Sequence, residues 1–386
     1  MTDPVALAHE LASGFADRAE RHDRDASFPA DDIEAIRGSG LLGLMVPLRL
    51  GGMGAGFATY AEVARELARG SGATALLFNM HSSITGALAS TPDDLARELG
   101  APDSFFLARD DVLARAAKGA CLFVAMSERG AGSRFSQMAT TYEPESDGWR
   151  IRGSKTFCSG AGHGDAYLVV ARSADGERVS QFLVPAGEGL TVEQTWDPMG
   201  MRATASNDLH LDVHVEADAL LGGVEGLAPL LAQVMPQWLV ASYAAVYVGV
   251  ARAAVDAAVA DLTRRHLTHL PAVRARLGRA DAAVEAAWLV TSEAARRVDV
   301  DPGSPSTNQW VYRAKLAAGD TAAQVSASVL EACGTSATRR GNPLERLFRD
   351  ARCGALHPAT SDVCADWLGA CVLGLDPDAD AAVARW

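Results

Sequence analysis

One short stretch of this chain has the composition of a loop that can approach a cofactor. Residues 127–134 read SERGAGSR, with two glycines, two serine hydroxyls and a run of backbone amides, and they follow the strand-like run CLFVAM. Glycine lets a backbone come close to a flat ring or a phosphate, and successive amides in a turn form a concavity that accepts negative charge. The loop therefore suits a flavin ring or a phosphate group, although the same text also describes an ordinary turn between strands. Other chemistries find little material. The six cysteines, Cys121, Cys158, Cys333, Cys353, Cys364 and Cys371, form no CxxC pair and have no histidine at zinc-finger spacing. Neither a metal site nor a disulfide framework is expected, and buried thiols in a reducing cytoplasm are. The formal net charge of -13 argues against nucleic acid as a partner, because phosphate binding needs a basic face. Basic charge is almost all arginine, with Lys118, Lys155 and Lys315 the only lysines.

The elements that must position this loop fall into three blocks. The 386 residues, 48% hydrophobic and 22% charged, are enough for a sizeable core in two to three packed domains. No apolar run reaches the roughly 18 to 20 residues that would span a bilayer, and the amphipathic, acid-containing N-terminus is no signal peptide. A soluble cytoplasmic protein is expected. Residues 5–118 carry helical spacing, as in Ile33, Ile36 and Leu41, or Tyr60, Val63, Ala64 and Leu67. Asp31 is a candidate N-cap, and PLRLGGMGAG is a turn before a helix that begins at Phe57. From Gly119 to Gly222 the text changes to short β-rich runs such as AYLVVAR, SQFLVPA and DLHLDVHV, punctuated by Gly, Asp, Ser and Pro. That pattern predicts an antiparallel barrel or sandwich. From Leu227 onward long apolar-striped helices return, broken most clearly at DPGSPST, and predict an antiparallel bundle. The fold expected is α+β: a helical domain over 1–118, a β-domain over 119–224 and a four-helix bundle over 225–386.

With these blocks in order, the chain resembles the acyl-CoA dehydrogenase superfamily over nearly its whole length. The resemblance rests on VPLRLGG (46–52), MSERGAGSR (126–134), GSKTFCSGAG (153–162), DPMGMRATASNDLHLDVHV (197–215) and GNPLERLFRDAR (341–352). It implies a flavin, FAD or alternatively FMN, between the β-domain and the bundle of a homotetramer or homodimer. Ser127, Gly132 and Ser133 match the loop along the flavin ring, and Phe157 and Ser159 match the aromatic and hydroxyl residues on its other side. Arg265 matches an arginine that reaches the flavin pyrophosphate from a neighbouring subunit, and Thr360 a hydroxyl near the cofactor. Glu331 and Thr335 stand where relatives usually carry glutamine and glycine at the adenine end, with Arg339 and Arg340 close in sequence to offset the carboxylate. Arg134 replaces a frequent aspartate and brings positive charge to the cleft.

The departures concern the reaction. Relatives remove the α-proton of an acyl thioester with a glutamate in a YEGT-like tetrapeptide; here that tetrapeptide is HPAT (357–360), with Pro358 at the glutamate position. Some members carry the base ten residues before a glycine that here is Gly249, and that position is Leu239. Abstraction of so weak an acid needs a base within hydrogen-bond reach. His357, beside the vacant site, and His81, on the wall that faces the flavin in relatives, are the candidate catalytic residues. His357 also stands seven residues after Asp350, as in flavin monooxygenases of this fold resembling dibenzothiophene monooxygenase. Three functions follow. The leading expectation is α,β-dehydrogenation of an acyl group on CoA or a carrier protein, with electrons passed to an electron-transfer flavoprotein. The alternative is a monooxygenase supplied with reduced flavin by a reductase. The third is a catalytically silent relative that acts as a binding subunit.

Overall fold

The structure, a computed structural model, describes residues 3–379. Helices come first: α1 (Pro4–Asp25), α2 (Ala30–Ser39), α3 (Phe57–Gly70), α4 (Gly72–Ser90), α5 (Asp93–Glu98) and α6 (Asp103–Ala117). Local chemistry sets their ends. Asp3 accepts the Val5 amide to cap α1, and Ser71 accepts the Thr74 amide to cap α4. Asp31 is not the cap expected of it. Pro29 holds the cap position of α2, and Asp31 sits in the first turn, where a carboxylate still favours the positive end of the helix. Helix α4 is buried on nearly every side, so it is the centre of this block rather than its surface.

Seven strands follow: β1 (Leu122–Ala125), β2 (Thr141–Pro144), β3 (Gly148–Cys158), β4 (Ala166–Ser173), β5 (Val179–Pro185), β6 (Leu190–Glu193) and β7 (Asn207–Glu216). They form one sheet in the order β1-β4-β2-β3-β7-β6, with β5 also on β4. Most pairings are antiparallel, but β1 and β2 both run parallel to β4, from Leu122↔Ala166 to Thr141↔Arg172. The two short strands thus lie end to end along one edge of β4. Residues 126–140, which contain SERGAGSR, are the excursion between them.

Glu128 closes that excursion. Its carboxylate accepts the Ala139 and Thr140 amides at 2.6 and 3.1 Å and the buried Lys155 ammonium at 2.7 Å. Burial alone would raise this carboxyl, but Lys155 and the amides outweigh it and hold it below the usual range.

The C-terminal helices are α7 (Ala228–Val234), α8 (Ser242–Arg264), α9 (Pro271–Val300), α10 (Pro305–Cys333), α11 (Pro343–Arg352) and α12 (Ser361–Val372). Helix α10 packs against α8, α9, α11 and α12. Residues 236–264 have a mean hydropathy of 1.5 over their most apolar window, but 83% of that window is buried inside the protein. Its apolarity is that of a core helix. Arg349 and Asp350 tie this block to the rest. Arg349 pairs with Asp23 on α1 and with Glu345, and donates to the Met199 carbonyl, while Asp350 accepts the Met201 amide at 2.6 Å. Gly200 passes so close that a Cβ there would lie 2.3 Å from the Arg349 carbonyl oxygen.

Candidate active site

Where the three blocks meet there is a cavity of about 150 Å³. Met80, Ser83 and Ile84 on α4 form one wall, Val124, Met126 and Leu168 of the sheet another, and Trp238, Leu239 and Tyr243 the third. No charged side chain lines it among the described residues. An apolar cavity of about this size holds a benzene-sized ligand. Leu239, at the alternative base position, faces it as a leucine, and Met126 brings the chain from the cavity wall into Ser127.

The polar corner of the site is on α8. Tyr243 lines the cavity and its hydroxyl has no protein partner among the described residues. Burial pushes its pKa up to about 12, so it stays protonated and can donate. One turn further, Tyr247 is buried and its pKa is also raised, and its hydroxyl lies 2.8 Å from Nδ1 of His357. With the phenol as donor, the neutral imidazole carries its own proton on Nε2. The Tyr243 ring lies 5.3 Å from the His357 ring. Below them Lys315, fully buried, donates to the carbonyls of Gly354, His357 and Ala359 at 2.9, 3.1 and 2.8 Å. Those contacts fix the loop that carries His357.

The geometry gives both candidate histidines defined partners. Burial, helped by the Lys315 charge, brings His357 down to about 3. At neutral pH the imidazole is uncharged, and with Nδ1 facing the Tyr247 hydroxyl its own proton sits on Nε2. His81 is buried, with Nε2 on the Leu42 carbonyl at 2.7 Å and Nδ1 receiving the Leu122 amide at 3.2 Å. Its pKa falls to about 4 through burial. Both ring nitrogens hold α4 to neighbouring backbone, which leaves none for chemistry.

The loops expected at the ring are brought together. The Thr156 amide donates to the Ser127 carbonyl at 2.8 Å, so the end of β3 is fastened to the cavity rim. Asp208 reinforces the join by accepting from Thr156, Thr195 and Arg129. Gly132 and Glu128 bond each other's backbones, which shapes the turn that bears the half-buried Ser133. Phe157 is 66% exposed, has a positive φ of 55°, and meets Trp196 edge-on at 5.9 Å. A large aromatic ring held out of the core by its own backbone is a ready wall for a planar cofactor. Ser159 is buried beside it, 3.0 Å from Ser206, which is 2.7 Å from Thr204.

The same architecture appears in the comparisons. Descriptions of the acyl-CoA dehydrogenase N-terminal, middle and C-terminal domains match residues 6–94, 124–213 and 241–362. The putative acyl-CoA dehydrogenase YdbM of Bacillus subtilis (strain 168) is 30% identical over 91% of this chain and 92% of its own length. The chain belongs to the acyl-CoA dehydrogenase family. Dibenzothiophene monooxygenase (TdsC) from Paenibacillus sp. A11-2 is 26% identical and superposes with a TM-score of 0.81 over 97% of both chains. Butyryl-CoA dehydrogenase from Megasphaera elsdenii, at 23% identity, shares the fold, with a TM-score of 0.85 over 97% of this chain and 99% of its own.

In this family member the remaining candidates lie apart from the cavity. Arg265 ends α8, donating to Asp261 and to the Cys333 carbonyl. Twenty-two residues separate it from Tyr243, which at the rise of an α-helix is about 33 Å. It cannot serve the same subunit's cavity. Thr360 caps α12 by accepting the Val363 amide at 3.3 Å. Glu331 pairs with Arg276 at 2.7 Å rather than with Arg339 or Arg340, and Arg340 pairs with Glu345. Arg134 folds back on the Ala131 and Gly130 carbonyls of its own loop, so its charge is not aimed into the cleft.

Sequence reasoning passed over Tyr243, Tyr247 and Lys315. The signals were present. Two tyrosines four apart on an alanine- and valine-rich helix share one face, and Lys315 is one of three lysines in an arginine-rich chain.

Proposed function

We propose that this acyl-CoA dehydrogenase family member is a flavin-dependent monooxygenase acting on a small, uncharged, largely apolar molecule. The observation that carries the reading is a charge-free cavity lined by the Tyr243 hydroxyl, with His357 behind it at 5.3 Å between rings, and with Leu239 and Pro358 at the positions where relatives carry a base. The exposed Phe157, the hydroxyl of Ser159 and the Ser127–Gly132–Ser133 turn fit a flavin ring, and FMN-bound TdsC is among the structural neighbours. A reduced flavin supplies the two electrons that split dioxygen, one atom going to substrate and the other to water.

The protein's part is placement and hydrogen bonding. Tyr243 would offer a protonated hydroxyl to molecules held in the cavity it lines. Tyr247 fixes the His357 tautomer, Lys315 fixes its loop, and the apolar walls exclude water. The chain would act within three domains, 1–118, 119–224 and 225–386, in a homodimer or homotetramer where Arg265 reaches a neighbour's cofactor, and with a reductase as partner. Dehydrogenation is the second reading. It is favoured by YdbM and the bovine short-chain enzyme, 29% identical over 89% of this chain, and by a cavity large enough for a four-carbon acyl group.

One pair of assays separates the readings. The purified flavoprotein is reduced, exposed to ¹⁸O₂ with indole, the ligand named for one TdsC complex, and the product is weighed by mass spectrometry. Incorporation of one labelled atom is expected. Oxidised enzyme mixed anaerobically with butyryl-CoA is the complement: bleaching of the flavin without label in the first assay would replace this reading with dehydrogenation. Neither response would leave a binding subunit.

A further inference from the structure

One aromatic side chain is shared by the reaction cavity and a second cavity. Trp238 lines the reaction cavity, and Trp238 also lines the second, of about 510 Å³, bordered by Met45, Phe57, Gly86, Val298 and Pro302. Packing holds the indole in place. Phe57 meets it edge-on at 5.2 Å, and Gly86 on α4 makes room for it, since a Cβ at Gly86 would lie 2.3 Å from a ring carbon. The Ser242 hydroxyl donates to the Trp238 carbonyl at 3.1 Å, but among the described residues no side chain hydrogen-bonds the indole itself. The indole Nε1 and both amide atoms of Gln237 are buried without partners. Unpaired buried polar groups destabilise the conformation that buries them. The position of the indole ring therefore depends on packing contacts.

We infer that Trp238 is the specificity-determining residue of this site, a partition that sets substrate length. With the indole in place, the reaction cavity takes one small ring or a short chain. With it removed or displaced, an extended substrate continues into the second cavity. The chemistry of that cavity defines the class. Among the described residues no lysine, arginine or histidine lines it, and the carboxylate that does, Asp299, already accepts the Phe57 and Ala58 amides at 2.6 and 2.9 Å. It suits a neutral aliphatic or aromatic extension and not the anionic tail of a coenzyme. The inference rests on the reading of the first cavity as the substrate site.

The test measures binding and needs no turnover. Straight-chain primary amides from butanamide to dodecanamide are titrated calorimetrically into the intact flavoprotein. In the wild type, affinity is expected to climb over the short members and then level off. In Trp238→Ala it should keep climbing, by roughly fourfold for each further methylene, while Trp238→Phe keeps the plateau. Gly86→Ala, which pushes on the indole from α4, should also move the plateau. It serves with Trp238→Leu if the alanine variant does not fold. Plateaus at the same chain length in the wild type and in every folded variant that removes or displaces the indole would overturn the inference. A shifted plateau in a protein that incorporates no labelled oxygen would leave Trp238 as the partition and remove the oxygenase reading instead.

Discussion

Replacing His357 by asparagine tests whether the half-buried imidazole stays neutral as the site requires. The folded pKa is about 3, against an ordinary 6.5 in the unfolded chain. Between those values the unfolded chain binds the proton and the folded protein does not, so stability rises with pH. The contribution is fully present above 6.5 and is lost as pH falls toward 3, to a ceiling of about 5 kcal/mol. Over the accessible window from about pH 7.5 to 5 the loss is about 2 kcal/mol. His81, at about 4, has nearly the same slope there, so these two groups together remove about 4 kcal/mol from the wild type. Asparagine keeps an acceptor for Tyr247 but does not titrate. Urea unfolding at half-unit pH steps should therefore give a wild-type stability that falls about 2 kcal/mol further than that of His357→Asn. Parallel pH dependences in the two proteins would mean that His357 titrates alike folded and unfolded. The assignment of a neutral donor would then fail.

Tyr243→Phe should lower labelled-oxygen incorporation by roughly 100-fold while indole binding by calorimetry changes little, because the lost group is a proton donor rather than a packing surface. Unchanged turnover would remove Tyr243 from the reaction. Lys315→Met leaves two buried carbonyls and the half-buried His357 carbonyl without their donor, and urea midpoints should report a loss of about 3 kcal/mol or more. A loss below about 1 kcal/mol would show that the 354–359 loop holds itself. Glu128→Gln strands the Lys155 ammonium in the sheet, with an expected cost of about 3 to 5 kcal/mol and weaker flavin retention on gel filtration. Full stability with full flavin content would show that the pair does not shape the Ser127 turn.

Much of the architecture was open to reading because its signals are local. Helical spacing around Tyr60 and Leu67, alternation in DLHLDVHV and the break at DPGSPST depend only on neighbouring residues, and α3, β7 and the α9–α10 junction lie where those patterns put them. The end-to-end placement of β1 and β2 on β4 was not open in this way, since parallel register joins residues far apart in the chain. The vacancies at Pro358 and Leu239 needed only counting. The fate of the histidines needed neighbours: His81 is settled by Leu42 and Leu122, each about forty residues away, and His357 by Tyr247, 110 residues back. Arg349 and Asp350 read as a motif anchor, but their partners Asp23 and Met201 came only with the fold.

Residue types and order alone set out the three blocks, a glycine- and serine-rich turn of a kind that suits a flavin, and a proline and a leucine at the two positions where relatives carry a base. Those are statements about what is present, and side-chain chemistry with short-range periodicity is enough to make them. Folding decides the protonation states and the size of the site. Burial in a low-dielectric interior lowers His357, keeps Tyr243 a phenol and confines the substrate to the space that Trp238 leaves. Each of these depends on which distant side chains exclude water from the same point, and proximity in space is not written along a chain.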